Sequence, residues 1–163
     1  MGATNIMVKD EPKVAFYVPN YNMKKYIRFC LDSILEQTYP NMEVLISDDK
    51  STDGSLDICK EYAQMDSRIR LFERDAPHGS GGDINDTLAE FDGEFACMMD
   101  PDDVVMPNYW QNVLPLFTNP KIGFVSVGLV YMDKDGVASI NPIKPMRIVN
   151  YLDLFEGNRV FSG

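Results

Sequence analysis

Apolar residues along this chain come in short runs, and their spacing changes from one run to the next. Lys13 to Val18 (K-V-A-F-Y-V) is a continuous apolar run of strand length, which predicts a buried strand. Between Lys24 and Gln37, Ile27, Cys30, Leu31, Ile34 and Leu35 recur at helical spacing, and Thr38-Tyr39-Pro40-Asn41 ends that pattern. Met42 to Ser47 (M-E-V-L-I-S) predicts a second strand. Ser51-Thr52-Asp53-Gly54 supplies capping residues ahead of a helix carrying Leu56, Cys59, Tyr62 and Ala63. Ile69 to Phe72 predicts a third strand and Pro77 to Gly82 a glycine-rich loop. Ile84, Leu88 and Phe91 then mark a third helix, and Glu94 to Met99 a fourth strand. Pro107 is expected at the first position of a fourth helix whose inner face holds Trp110, Val113, Leu114 and Phe117.

Strands alternating with helices predict βαβ units, right-handed crossovers and a mostly parallel central sheet. Past Lys121 the texture changes. Gly123 to Met132 is strand-like, Asp133-Lys134-Asp135-Gly136 has hairpin-turn chemistry, and Val137 to Ile140 is placed to return antiparallel. Ile148 to Phe155 predicts a short helix, and Val160-Phe161-Ser162 the opening of another strand. There are no repeats or linkers. The expected organisation is an N-terminal extension over 1–12 and a single domain over 13–163.

Composition narrows the picture. With 163 residues, 45% hydrophobic and 25% charged, the chain has the balance of one globular domain and not of a disordered segment. Fifteen basic residues against 25 acidic ones give a net charge of −10. That balance argues against gripping nucleic acid or an anionic membrane by charge. A phosphate-bearing ligand would need local lysines or a divalent cation. Cys30, Cys59 and Cys97 are odd in number, show no zinc spacing and fall within apolar patterns, as expected of reduced core thiols in the cytosol. Residues Met1 to Pro12 lack the basic and apolar regions of a signal peptide, and Gly123 to Met132 is too short to span a bilayer.

In an open parallel sheet, ligands bind outside the carboxyl ends of the strands. Three predicted strand ends are rich in polar residues: Pro19-Asn20-Tyr21-Asn22, Asp48-Asp49 and Asp100-Pro101-Asp102-Asp103. Asp100 and Asp102 would repel each other and any phosphate by about 4 kcal/mol per contact at ~4 Å and a dielectric of ~20. A Mg²⁺ or Mn²⁺ ion reverses that sign, because it takes one or two carboxylates together with phosphate oxygens. A competing role for these aspartates is capping the helix near Pro107. Asp49 to Gly54 superficially matches a calcium loop, but Lys60 stands where a bidentate Glu is required, so that reading is rejected. Ser51, Thr52 and Asp53 read as helix caps, Asn22 as a turn residue, His78 as a loop residue, and Gly79, Gly81 and Gly82 as a flexible turn. Asp49, one residue past its strand, can reach into the crevice and accept a hydrogen bond from a ligand N–H. Tyr21 can form a platform for a base.

Taken in order, these segments resemble glycosyltransferase family 2, whose nucleotide-binding half is the GT-A fold. V-P-N-Y-N at Val18 to Asn22 looks like the family's V-P-x-Y-N, and Leu31 to Ser55 leads to a stretch like its D-D-G-S-T-D-G-S. Asn85 with Leu88, Ala89 and Gly93-Glu94-Phe95 resembles a later block, and Asp100-Pro101-Asp102-Asp103 resembles D-x-D-D. The likeness covers about 13–117. It implies a Rossmann-like three-layer α/β/α sandwich, and a metal-dependent transferase moving a sugar from a nucleotide-sugar, expected to be a UDP-sugar, to a hydroxyl acceptor with inversion. It further implies that Pro19 and Tyr21 line the base pocket and that Asp49 accepts from a uracil-type N–H. Asp100 would lie near the ribose and the metal, and Asp102 would be the main contact to Mn²⁺ or Mg²⁺. The context implied is polysaccharide or other cell-surface glycan synthesis in the cytoplasm or at the inner face of the membrane.

The chain departs from the pattern in three places. Lys50 stands where the family commonly has Gly, Gly81-Gly82-Asp83-Ile84 lacks the usual basic residue before Asn85, and the chain ends at Gly163 before an acceptor half. The expectation is therefore a piece of a longer transferase, inactive alone, with its general base beyond Gly163. Two other readings stay open on the residues: a non-catalytic nucleotide-binding fragment, and a receiver-like phosphoacceptor using Asp48, Asp49, Asp100 and Lys144-Pro145. A haloacid-dehalogenase start at Met98 to Val104 is disfavoured, since that motif normally opens the first core strand.

Overall fold

The structure is a computed structural model and describes residues 11–75, 79–119, 122–127, 130–132 and 138–140. Four strands, β1 (Val14–Asn20), β2 (Met42–Asp48), β3 (Ile69–Glu73) and β4 (Phe95–Met98), form one all-parallel sheet in the order β3-β2-β1-β4. They alternate with helices α1 (Ile27–Leu35), α2 (Ser55–Met65) and α3 (Gly79–Ala89). A short helix α4 (Tyr109–Val113) follows β4 and tightens into a 3₁₀ turn over Leu114–Thr118. The expected α/β class and mostly parallel sheet are thus observed.

Side-chain alternation along the strands divides the core in two. Val14, Phe16 and Val18 of β1, with Val44 and Ile46 of β2, pack against Ile27, Cys30, Leu31 and Ile34 of α1 and Ile58, Cys59 and Tyr62 of α2. Ala15, Tyr17 and Leu45 face the other way, against Ile84 and Leu88 of α3. The two faces follow from the connection rule. The chain steps from β1 to β2 to β3 in one direction and then jumps back past β1 to β4. Right-handed crossovers in opposite directions put α3 on the face opposite α1 and α2. Phe16 also carries α4, its ring centroid lying 5.4 Å from Trp110 and 5.6 Å from Tyr109.

Several element boundaries differ from expectation. Helix α1 begins at Ile27, not near Lys24, because Tyr26 N and Ile27 N both donate to Met23 O and so spend 24–26 as a turn. The glycine-rich stretch expected as a loop is the first turn of α3, which begins at Gly79. Glycine costs a helix only about 1 kcal/mol per residue, and the packing of the partly buried Ile84 and Leu88 against the sheet outweighs it. Pro107 lies in the turn before α4, where Tyr109 N donates to Met106 O, and not at the first helical position. Pro115 has no N–H to continue the α-helical ladder, which accounts for the short α4. Of the predicted inner face, Trp110, Val113 and Leu114 are buried. Gly93, between α3 and β4, passes so close to Lys13 that an added Cβ would lie 2.7 Å from its carbonyl oxygen.

The chain divides into two compact units, one spanning Val8–Leu114 and the other containing the chain from Pro115 onward. In the second unit β5 (Val130–Met132) and β6 (Ala138–Ile140) pair antiparallel, with Val130 opposite Ile140, as the hairpin reading expected. Of the stretch Gly123 to Met132 expected as strand, residues 123–127 have no regular structure, and Val130–Met132 is the part with a ladder partner among the described residues. The predicted turn at Asp133 to Gly136, the helix from Ile148 and the strand from Val160 lie outside the described residues, as does His78.

Candidate functional site

All strands of a parallel sheet point the same way, so their carboxyl ends share one edge. Asn20 is in register with Asp48, and Tyr17 with Met98. Pro19 to Asn22, Asp48-Asp49 and Asp100 to Asp103 therefore leave the sheet side by side, all within the Val8–Leu114 unit.

Pro19 fits in a central strand for a local reason. Tyr17 O accepts Met99 N at 2.9 Å and so faces β4, whereas Asn20 O accepts Asp49 N at 2.9 Å and faces β2. By alternation the missing N–H of Pro19 faces β4 past the last paired residue, Met98, where no ladder bond is lost.

The loops after β1 and β2 are stitched together. Asn22 Oδ1 accepts Thr52 N at 2.8 Å, and Asn22 N donates to Ser51 Oγ at 3.0 Å. Asp53 Oδ1 accepts Ser55 N at 2.8 Å and the Ser55 hydroxyl at 2.6 Å, while Asp53 Oδ2 accepts Lys24 N at 2.8 Å. Partial burial works against the charge of Asp53, but those donors outweigh it and hold its carboxyl below the ordinary value. The expected capping role of Asp53 is therefore present, acting on the first residue of α2 from just before Gly54. Two residues of these loops, Asn22 (φ 54°) and Lys50 (φ 63°), adopt the left-handed conformation. The position where the family commonly carries Gly is thus one that favours Gly, and Lys50 occupies it.

Beneath these loops Asn20 meets Asp48, a contact that sequence reasoning did not anticipate. Asn20 and Asp48 are each 1% exposed. Asn20 Nδ2 donates to Asp48 Oδ2 at 2.5 Å and lies within reach of Ser55 Oγ at 3.1 Å and Ser51 Oγ at 3.3 Å. Asp48 Oδ1 accepts Ser51 N at 2.9 Å. A buried carboxylate without partners would cost several kcal/mol, so these donors are what permit it. The available signal was positional: Asn20 and Asp48 end the rows Val14-Phe16-Val18 and Val44-Ile46, where an apolar residue would continue the core.

The acidic turn after β4 sits over α1. Asp103 N donates to Asp100 O at 3.0 Å, and Cys30 Sγ of α1 donates to the same oxygen at 3.6 Å. Val105 N donates to Ser33 Oγ at 3.1 Å, and Gln37 Nε2 to Met106 O at 2.6 Å. Desolvation, then the charges of Asp102 and Asp100, raises the Asp103 carboxyl above its ordinary value. Desolvation first, then the charges of Asp103, Asp102 and Asp100, pushes the Cys30 thiol up to about 12. All three cysteines are free thiols, with Cys30 and Cys59 buried and Cys97 half-buried, which agrees with the reading of core thiols.

Of the residues singled out in the sequence, Pro19 and Asp49 are half-buried, Tyr21 is 55% exposed, and Asp100 and Asp102 are exposed. Among the described residues no three His, Cys, Asp or Glu side chains are grouped to hold a metal by themselves. The donor set at the turn, hard carboxylate oxygens in mutual repulsion, nevertheless fits a cation that completes its shell from a ligand's phosphates. The acid pair Asp48-Asp49 ends the second strand, whereas a receiver-like phosphoacceptor needs it at the end of the first; Lys144 lies outside the described residues. No helix among the described residues is long and apolar enough to cross a membrane.

Comparison with known proteins closes the question of family. The family profile described as glycosyl transferase family 2 matches residues 16–160. Glycosyltransferase GlyA of Streptococcus pneumoniae is 39% identical over 99 residues, covering 61% of this chain and 14% of the relative. Poly(ribitol-phosphate) beta-glucosyltransferase of Bacillus spizizenii is 36% identical over 96 residues, covering 57% of this chain and 15% of the relative. Among solved structures, the mannosyltransferase PcManGT from Pyrobaculum calidifontis in complex with GDP-Man and Mn²⁺ superposes with a TM-score of 0.65 at 29% identity, covering 69% of this chain and 34% of that one. S. aureus TarS 1-349 in complex with UDP-GlcNAc gives 0.59 at 30% identity, covering 64% and 31%. These neighbours are GT-A glycosyltransferases, and the chain spans only a seventh to a third of the length of these proteins. A parallel α/β sheet with its polar residues gathered at one carboxyl edge, matched over 16–160 by that profile, makes this chain a member of glycosyl transferase family 2.

Proposed function

We propose that this chain is the nucleotide-sugar-binding part of a metal-dependent, inverting glycosyltransferase that takes a UDP-sugar donor and transfers the sugar to a hydroxyl of a growing polysaccharide or other cell-surface glycan. The observation that carries the reading is the convergence of Tyr21, Asp49 and the Asp100–Asp103 turn at one sheet edge. The similarity to TarS with UDP-GlcNAc and to PcManGT with GDP-Man and Mn²⁺ supports it.

In this reading Pro19 and Tyr21 flank the nucleobase, and the partly exposed Tyr21 ring stacks on it. Asp49 accepts the hydrogen bond of the uracil N–H. Asp100 lies toward the ribose, and Asp102 with Asp100 would hold Mn²⁺ or Mg²⁺. The cation would offset the charge that grows on the departing nucleoside diphosphate. The acceptor proton goes to a carboxylate base, which we place outside these 163 residues, so the fragment binds donor and transfers nothing on its own. A cytoplasmic site of action and a single domain over 13–163 belong to the same proposal.

Calorimetric titration of the chain with UDP, GDP and their sugars, with and without Mn²⁺, tests this reading. Metal-dependent UDP binding, weakened at least tenfold by Asp102→Ala, is expected. Equal binding without metal, or by the variant, would overturn the site assignment. Robust sugar transfer by the isolated chain would overturn the inactive-fragment proposal.

A further inference from the structure

One fully buried polar contact at the sheet edge, Asn20 to Asp48, belongs to neither the proposed base pocket nor the acidic turn. From the buried Asn20–Asp48 contact we propose that Asn20 is a positioning residue: its amide donates to the buried Asp48 side chain, and so sets the spacing of Tyr21 and Asp49, the residues that follow each partner in the chain. The inference rests on the nucleotide-binding reading above and adds to it a residue that touches no ligand.

Three features support this assignment. The first is register. Asn20 and Asp48 are the last paired residues of β1 and β2, so any change in their separation passes directly to Tyr21 and Asp49. The second is double use. Asn20 holds the Asp48 carboxylate with its side chain, and its carbonyl oxygen accepts the Asp49 amide at 2.9 Å. The third is chemical identity. Three acceptor-capable oxygens, from Asp48, Ser51 and Ser55, surround one amide nitrogen, which fixes Nδ2 as the atom facing them. Asn20 Oδ1 is buried with no hydrogen-bond partner among the described residues, so the side chain is used wholly as a donor. A Lys or Arg could also donate to Asp48, but Asn does so without bringing a positive charge to a site where Asp49 is to act as an acceptor.

The decisive variant is Asn20→Asp, which replaces the donor by a second carboxylate of nearly the same shape. Two buried carboxylates in contact cannot both ionise, so one must hold a proton to restore the hydrogen bond. Other charged or titratable groups around the pair are Glu73 of β3, in register with Asp48, Arg74, whose amide donates to Asp48 O, Asp49 and Asp53 of the connecting loop, and Cys59 and Lys60 of α2, both of which feel the Asp48 charge. All of them are present in the wild type too, so the ratio of wild-type to variant affinity isolates the new group. The swap Asn20→Asp/Asp48→Asn recreates one amide and one carboxylate in reversed order. The Ser51 hydroxyl, which only accepts in the wild type, can then donate to the new carboxylate, while the Ser55 hydroxyl stays on Asp53.

The test uses the whole chain and UDP with Mn²⁺ as the probe, by calorimetry from pH 5.5 to pH 8. In parallel, amide-exchange protection is measured at Asp49 and Ser51, whose N–H groups bond to the pair. We expect Asn20→Asp to bind at least tenfold more weakly than wild type at pH 8 and to approach it at pH 5.5. Protection at the two amides should fall in step, and the swap should return affinity to within about threefold of wild type at both pH values. A folded Asn20→Asp chain with wild-type affinity and protection throughout would overturn the proposal, as would a swap that rescues nothing. A wild type that binds neither UDP nor GDP, but whose Asp49 and Ser51 amides still lose protection in Asn20→Asp at high pH, would overturn the nucleotide reading while upholding Asn20 as the holder of the crevice.

Discussion

Ser33 Oγ accepts the amide of Val105 at 3.1 Å and donates to Cys30 O at 2.8 Å, so one hydroxyl of α1 ties the chain after the acidic turn to the helix beneath it. Replacing Ser33 by Ala leaves a part-buried N–H unpaired, a loss of about 1 kcal/mol. Urea unfolding of Ser33→Ala should show that drop with an unchanged slope. Stability equal to wild type would mean that water replaces the hydroxyl without cost.

Lys50 holds φ at 63°, a conformation that costs a residue bearing a Cβ about 1 kcal/mol. Lys50→Gly should remove that strain, partly offset by the added freedom of the unfolded chain, for a net gain of about 0.5 kcal/mol. Lys50→Val, branched at Cβ, should lose more than about 1 kcal/mol. The comparison is a thermal-melt series of wild type, Gly and Val, and a Gly variant less stable than wild type would contradict the strain argument.

Asp53 governs part of the acid sensitivity of the fold. Its carboxyl lies below the ordinary value in the folded chain, burial opposing and the Ser55 and Lys24 donors prevailing. A depressed acid stabilises the folded state above its unfolded pKa, and that contribution is lost as pH falls through the folded value. Asp53→Asn should therefore be less stable than wild type near neutrality, because the neutral amide gives up the charge-assisted part of these hydrogen bonds, and the gap should narrow as pH falls through the depressed folded value. A gap that stays constant between pH 7 and pH 3 would show that the charge plays no part.

The thiols should be inert in the folded chain. Burial is the first cause that raises all three, and it pushes Cys30 and Cys59 up to about 12. A disulfide-exchange reagent at pH 8 should label the native protein slowly and all three cysteines at once in denaturant. Rapid native labelling of Cys30 would indicate that the acidic turn opens readily.

The strands and the buried faces of the helices were legible because each is a local pattern. Val14 to Val18 is apolar without a break, and Ile27, Cys30, Leu31 and Ile34 repeat at helical spacing. The start of α3 at Gly79 was not legible, since its stability comes from Ile84 and Leu88 meeting β1 and β2, a contact distant in sequence. Asn20 was missed for a similar reason. It is one of several polar residues at the end of the first strand, and only the pairing of β1 with β2 brings it against Asp48. Tyr21, Asp49, Asp100 and Asp102 could be picked out because the strand-end rule needs only the order of elements.

The reversal of strand order at β1 fixes where this molecule can move. β1 and β4 share a ladder up to Tyr17 and Met98, so the floor of the crevice is a continuous hydrogen-bonded sheet. The chain leaves β1 toward α1 on one face and reaches β4 from α3 on the other, so neither of these crossovers runs across the gap between them. The rim, by contrast, is made of turns held by single side chains such as Ser33, Asn22 and Asp53. Any adjustment to an occupant must then come from the rim, with the floor acting as a fixed gauge against which its displacement is measured.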